Sequence, residues 1–168
     1  MKNKILAWIK IIRPPIVFIS CLGALVGALN TAVFLDINLI GFQIFMVLLG
    51  SGFLAAGLMV HNDVTDLKSD KINRPHKSLP SGIISVKTAY ITGLTLMILS
   101  ILVISFVNFK DQGVLNWNCG IFTAILVVVG IYYNHYGKYH GIFGHVSVAF
   151  GVGAIPYWGS IEIGRAHV

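Results

Sequence analysis

The stretch His61-Asn-Asp-Val-Thr-Asp-Leu-Lys-Ser-Asp-Lys-Ile-Asn-Arg-Pro-His-Lys-Ser-Leu-Pro-Ser-Gly82 is a long polar segment in a chain that is otherwise mostly apolar. It contains Asp63, Asp66 and Asp70, half of the six Asp and Glu residues in the sequence. On either side lie nearly uncharged runs, Leu39–His61 before it and Val86–Val107 after it. Each is close to the ~20 residues a helix needs to cross the hydrocarbon core of a bilayer. The polar stretch therefore reads as a loop between two membrane spans.

Three further apolar runs, Pro15–Leu35, Val114–Tyr133 and Ile142–Ile161, bring the expected spans to five. Composition agrees: of 168 residues 56% are hydrophobic and 11% charged, with a mean hydropathy of +0.82. Soluble domains carry roughly a quarter charged residues, so soluble, disordered and disulfide-scaffold classes are excluded. The expected fold is all-α, a polytopic transmembrane helix bundle. The net charge of +6 does not indicate nucleic acid, because too little polar surface exists to form a binding face. Basic residues beside apolar spans suit the cytoplasmic leaflet instead.

The distribution of Lys and Arg orients the bundle. Lys2, Lys4, Lys10 and Arg13 precede the first span, Lys68, Lys71, Arg74, Lys77 and Lys87 accompany the polar loop, and Lys138 follows the fourth span. The opposite loops carry only Lys110. This bias places the N-terminus and the Asp-rich loop on the cytoplasmic side of the cell membrane. Ile5 to Ile12 reads as an interfacial helix with Trp8 at headgroup depth, broken from the first span by Arg13-Pro14-Pro15. Cys21 and Cys119 fall in different spans and read as packing residues.

Asp63, Asp66 and Asp70 are spaced i, i+3, i+7, so a continuing helix would line all three on one face, with Asn62 beside them. Such carboxylates repel without a cation. A hard divalent ion, Mg²⁺ in particular, would relieve that repulsion and could hold a diphosphate too. The plainer alternative is a solvated helix end whose acids pair with Lys68, Lys71 and Arg74. Acids at the edge of a span, followed by Arg74 and Lys77, weigh toward the ligand reading. His135, His140 and His145 do not align on one helix face and suggest loop or interfacial positions.

Asn62-Asp63-x-x-Asp66-x-x-x-Asp70, followed by Ile72-Asn73-Arg74-Pro75-x-Lys77-x-Leu79-Pro80-Ser81-Gly82, resembles the first aspartate-rich motif of the UbiA superfamily of intramembrane prenyltransferases. Arg13-Pro14-Pro15 and the segment Tyr133 to Lys138 with Gly141 to Gly144 extend the likeness. Lys77-Ser78 stands where the family often has Arg-Pro, which keeps the charge but not a bidentate fork. The resemblance implies a Mg²⁺-dependent transfer of a prenyl group from a polyprenyl diphosphate to a lipophilic acceptor. It casts Asp63, Asp66 and Asp70 as metal-holding catalytic residues. Asn62, Arg74, Lys77, Lys138 and Tyr133 become substrate-binding residues, and Tyr132 and Tyr136 further aromatics that could face an allylic cation.

The short Asp70-to-Pro75 spacing is similar to that of digeranylgeranylglyceryl phosphate synthases and chlorophyll synthases. It favours geranylgeranyl diphosphate as donor and a glycerol-phosphate ether as acceptor in archaeal-type ether lipid synthesis. An aromatic or chlorophyllide-type acceptor, or a non-catalytic transporter or assembly protein, are the alternatives. The family has about nine helices and a second aspartate motif. With about five of those nine spans present, residues 1–161 are expected to be the N-terminal part of such a domain, inactive in isolation. Residues 162–168, Glu162-Ile-Gly-Arg-Ala-His-Val168, look like sequencing-adapter read-through and are expected to be a non-native tail.

Overall fold

The computed structural model describes residues 2–36, 38, 41–107, 109, 113 and 115–164. It is helical throughout, with α1 (Lys2–Ile12), α2 (Pro14–Leu35), α3 (Gly41–Thr65), α4 (Leu67–Asn73), α5 (Val86–Ser105) and α6 (Trp117–His135) in chain order. A 3-10 turn at Gly137–Tyr139 then leads into α7 (Gly141–Gly164). Among the described residues no strand forms.

Four helices, α2, α3, α5 and α6, are long and apolar enough to cross a membrane, and the chain is a multi-pass membrane protein. The fifth expected span lies within α7, which begins one residue before Ile142 and continues through Ile161 to Gly164. Lys110 and Arg165 to Val168 lie outside the described residues. The outward faces carry Phe18, Val33, Phe34, Val128 and Ile142, all exposed, as helices surrounded by lipid do.

Helix α1 is amphipathic. Ala7 and Ile11, one turn apart, are buried against Val60, Leu79, Ile84 and Ala89, while Ile5, Leu6 and Ile9 face outward. Its end is abrupt because Pro14 and Pro15 have no N–H for the preceding turn, yet suit the first positions of α2. The junction forces Arg13 into a left-handed backbone, φ 56° and ψ 69°. That conformation costs a non-glycine residue roughly 1–2 kcal/mol.

Helix α3 is the hub, touching α1, α2, α5, α6 and α7. It approaches α5 through small residues: a Cβ on Gly57 would lie 2.8 Å from Met97 Cγ and 3.0 Å from the Gly93 carbonyl oxygen. Ser100 Oγ donates to the Gly50 carbonyl at 2.8 Å across the same contact. Helices α2 and α7 are closer still, since a Cβ on Gly27 would fall 1.8 Å from the Pro156 carbonyl oxygen. Where lipid is as apolar as the side chains, such backbone proximity supplies the packing.

Candidate functional site

The Asp-rich segment does not continue α3 as one straight helix. Helix α3 stops at Thr65, Asp66 occupies the junction as the N-cap residue of α4, and Asp70 lies within that short helix. The expectation of three carboxylates on one unbroken helix face is corrected by this break, although backbone bonds from Asp66 N–H to the Asn62 carbonyl and from Asp70 N–H to the Asp66 carbonyl keep the segment coiled. Asp63 and Asp70 are buried, each 6% exposed.

Each carboxylate has its own cation. Arg13 Nη2 donates to Asp63 Oδ1 at 2.6 Å. Lys77 Nζ bonds Asp70 Oδ2 at 2.7 Å and stands 3.6 Å from Asp63 Oδ1, so it bridges two acids. Lys138 Nζ donates to Asp66 Oδ1 and, at 3.1 Å, to Thr65 Oγ1. Asn62 Nδ2 donates to Asp66 Oδ2 at 3.0 Å. Three carboxylates thus face three cations, and the cluster is neutral as it stands. Among the described residues Lys68, Lys71 and Arg74 form no ion pair, so the simple helix-end pairing is replaced by longer-range partners.

The loop after α4 explains how Lys77 reaches both acids. Lys77 N–H bonds the Arg74 carbonyl, Ser81 N–H the Lys77 carbonyl, and Gly82 N–H the Leu79 carbonyl. Gly82 takes φ 74°, a left-handed turn that glycine adopts without steric cost. Ser78 Oγ donates at 3.2 Å to the Ala7 carbonyl, tying the loop to α1. Arg74 and His76 are exposed.

Beside this cluster an apolar cavity of about 470 Å³ opens between α2, α3, α6 and α7. Leu54, Leu58, Leu126 and Ile155 line its wall; Arg13, Asn62, Tyr133 and Asn134 supply polar atoms and an aromatic ring. Its size and its few polar groups are those of a small-molecule pocket. Tyr133 is the cavity tyrosine, whereas Tyr132 and Tyr136 are exposed and stack loosely on each other, 6.0 Å between centroids.

As for a metal, the donor set is chemically apt. Carboxylates Asp63, Asp66 and Asp70 with the Asn62 amide are hard oxygen ligands suited to a divalent ion such as Mg²⁺. In the present arrangement their oxygens are engaged by Arg13, Lys77 and Lys138, and among the described residues no three Asp, Glu, His or Cys side chains stand close enough to share an ion.

Two features escaped the reading of the sequence. Arg13 stood out only as one of the basic residues before the first span and as part of an Arg-Pro-Pro string, yet it pairs with Asp63. Asn134, buried, donates from Nδ2 to the Leu58 carbonyl at 3.2 Å and lies 3.2 Å from His61 Nδ1, locking α6 to α3 at the cavity wall. A polar residue following two tyrosines in a span was the available signal.

A family model described as the UbiA prenyltransferase family matches residues 16–166. The chain belongs to the UbiA family. The UbiA chain is 30% identical over 169 residues to a digeranylgeranylglyceryl phosphate synthase of Methanococcus aeolicus, covering 100% of this chain and 56% of that protein. It is also 30% identical to the protein of that name from Saccharolobus solfataricus, over 92% of this chain and 51% of the relative. A solved structure concerned with digeranylgeranylglyceryl phosphate synthase in membranes shares the fold, with a TM-score of 0.82 at 22% identity over 95% of this chain and 53% of the other. The UbiA chain spans about half the length of the curated relatives it matches.

Proposed function

We propose that this UbiA chain forms the donor half of a prenyltransferase site, holding a polyprenyl diphosphate with its head at the Asp-rich cluster and its tail in the apolar cavity. The observation that carries the reading is the adjacency of the two, with Arg13 and Asn62 at the cavity wall and bonded to Asp63 and Asp66. The similarity to digeranylgeranylglyceryl phosphate synthases supports geranylgeranyl diphosphate as donor and geranylgeranylglyceryl phosphate as acceptor. The Lys and Arg bias supports a cytoplasmic face for this end of the bundle.

Asp63, Asp66, Asp70 and Asn62 would hold Mg²⁺. When bound, the ion offsets charge on the departing diphosphate as a Lewis acid. Lys77 and Lys138 turn from carboxylate to phosphate oxygens, keeping their charge where negative charge grows. Breakage of the allylic C–O bond leaves the electron pair on diphosphate. The carbon facing Tyr133 is then shielded by aliphatic walls that exclude water until the acceptor hydroxyl attacks it, its oxygen forming the new C–O bond and its proton passing to the departed diphosphate.

The test is binding in lipid nanodiscs. Inorganic diphosphate should bind in the presence of Mg²⁺ and lose at least tenfold in affinity in Asp66→Ala. Metal-independent or Asp66-independent binding would sink the proposal. The 168-residue chain alone is expected to bind without turnover; steady diphosphate release from geranylgeranyl diphosphate would refute that. Extending the chain to its relatives' length and offering competing acceptors tests the acceptor, and prenylation of an aromatic acceptor alone would exclude the ether-lipid assignment.

A further inference from the structure

A second pocket, of about 480 Å³, lies beneath α1. It is lined by Lys10, Arg13, Asp63, His76, Lys77 and Ser78 among others, and it is distinct from the apolar cavity; Arg13 borders both. The charge balance differs from that of the carboxylate cluster. Arg13 and Lys77 are spoken for by Asp63 and Asp70, but among the described residues Lys10 and His76 have no ion pair. The pocket therefore carries the unpaired positive charge of Lys10 together with further hydrogen-bonding groups, and among the described residues Asp63 is the one acid in its lining.

The rest of the lining is apolar, with Leu6 and Ile83 at 52% and 41% exposure. Leu6 sits on the outward face of α1 with Ile5 and Ile9, the face an interfacial helix presses into the boundary between headgroups and acyl chains. A ligand entering here from the bilayer brings its phosphate to the basic floor and leaves its glycerol and chains along Leu6 and Ile83. A phosphate monoester, with about −1.5 to −2 charges at neutral pH, suits a lining that offers the unpaired Lys10 ammonium and the His76 ring as a hydrogen-bonding partner better than a singly charged phosphodiester does.

The geometry points to this pocket as the site for the terminal phosphate monoester of a lipid acceptor, with Lys10 and His76 as its specificity-determining contacts and Arg13 as the wall shared with the donor cavity. This rests on the prenyltransferase reading above and names how its acceptor is recognised. Arg13 then contacts both compartments, so the phosphate anchor fixes how far the acceptor hydroxyl reaches toward the donor.

The experiment uses the 168-residue chain in phosphatidylcholine nanodiscs and measures retention of labelled phosphatidic acid, a lipid phosphomonoester, against labelled phosphatidylglycerol, a phosphodiester. Phosphatidic acid should be retained at least tenfold more tightly, and Lys10→Gln combined with His76→Gln should reduce it to the phosphatidylglycerol level. Lys4→Gln, on the same helix but outside the pocket, should change nothing. Equal retention of the two lipids, or retention unaltered by the double substitution, would overturn the inference. So would displacement of phosphatidic acid by inorganic phosphate at equal concentration, which would make the site one for a free anion. Mg²⁺-dependent diphosphate binding is measured on the same samples. In the unsubstituted chain, absence of diphosphate binding with selective phosphatidic acid retention intact defeats the prenyltransferase reading, and diphosphate binding without that selective retention defeats the acceptor pocket; in the double variant diphosphate should bind as before.

Discussion

Arg13 and Asp63, fifty positions apart in sequence, meet at 2.6 Å. The arginine does so from the left-handed backbone, φ 56°, that the junction with Pro14 imposes. Residues held in such conformations cluster at active sites and ligand clamps. Truncating Arg13 leaves Asp63, 6% exposed, without its nearest partner. Removing one member of a buried pair costs about 3–5 kcal/mol; Arg13 keeps a third of its side chain exposed, so Arg13→Ala should fall at or below the lower end. Arg13→Gly should be milder by about 1 kcal/mol, since glycine accepts the backbone geometry. Unfolding in detergent by denaturant titration checks both, and equal losses for the two variants would show that backbone strain does not matter.

Gly27 and Gly151 lie on facing and non-facing parts of the α2–α7 pair. A Cβ on Gly27 meets the Pro156 carbonyl oxygen at 1.8 Å, whereas one on Gly151 meets nothing within 4 Å. Gly27→Ala must push two backbones apart and should cost about 2–3 kcal/mol, as overpacking commonly does. Gly151→Ala should be neutral or stabilise by up to about 1 kcal/mol through helix propensity. Thermal melts of the two variants side by side separate the contact from the general effect of adding a methyl group.

Asn134→Leu removes the bond to the Leu58 carbonyl and the contact with His61 Nδ1, both at 3.2 Å. The Leu58 carbonyl keeps its bond within α3, but leaving the buried His61 ring without this contact should cost about 1–3 kcal/mol. Asn134→Asp restores an acceptor but no amide donor, so it should not rescue the Leu58 contact. Hydrogen exchange at the α3–α6 contact is the sensitive readout, and unchanged protection would argue against the lock.

Leu54→Trp places a large ring in the apolar cavity that Leu54 helps line. Affinity for a geranylgeranyl diphosphate analogue should fall at least tenfold while inorganic diphosphate binds as before, because the cluster of Asp63, Asp66 and Asp70 is untouched. Parallel loss of both affinities would place the prenyl chain elsewhere.

The spans and the Asp-rich motif were legible because each is a local property: apolar runs of membrane length, and acids at short spacing. The helix break at Asp66 was not, since i, i+3, i+7 periodicity assumes continuity that the Thr65–Leu67 junction abandons. Nor were the partners of the acids. Lys68 and Lys71 are near in sequence and stay outside the cluster, while Arg13 and Lys138 arrive from α1–α2 and the turn after α6. Periodicity reports which face a residue occupies, and tertiary packing alone decides what that face meets. The cavity is likewise a product of four helices meeting, which no single segment encodes.

The Arg13–Asp63 pair also bears on how the chain enters the membrane. Arg13 is made before the first span and Asp63 only as the second ends, so the pair cannot close until α2 and α3 stand side by side in the right vertical register. A slip of one helix by a turn, about 5.4 Å, would strand both charges. The pair thereby ties the vertical register of α2 to that of α3, and only the correctly seated hairpin can form it.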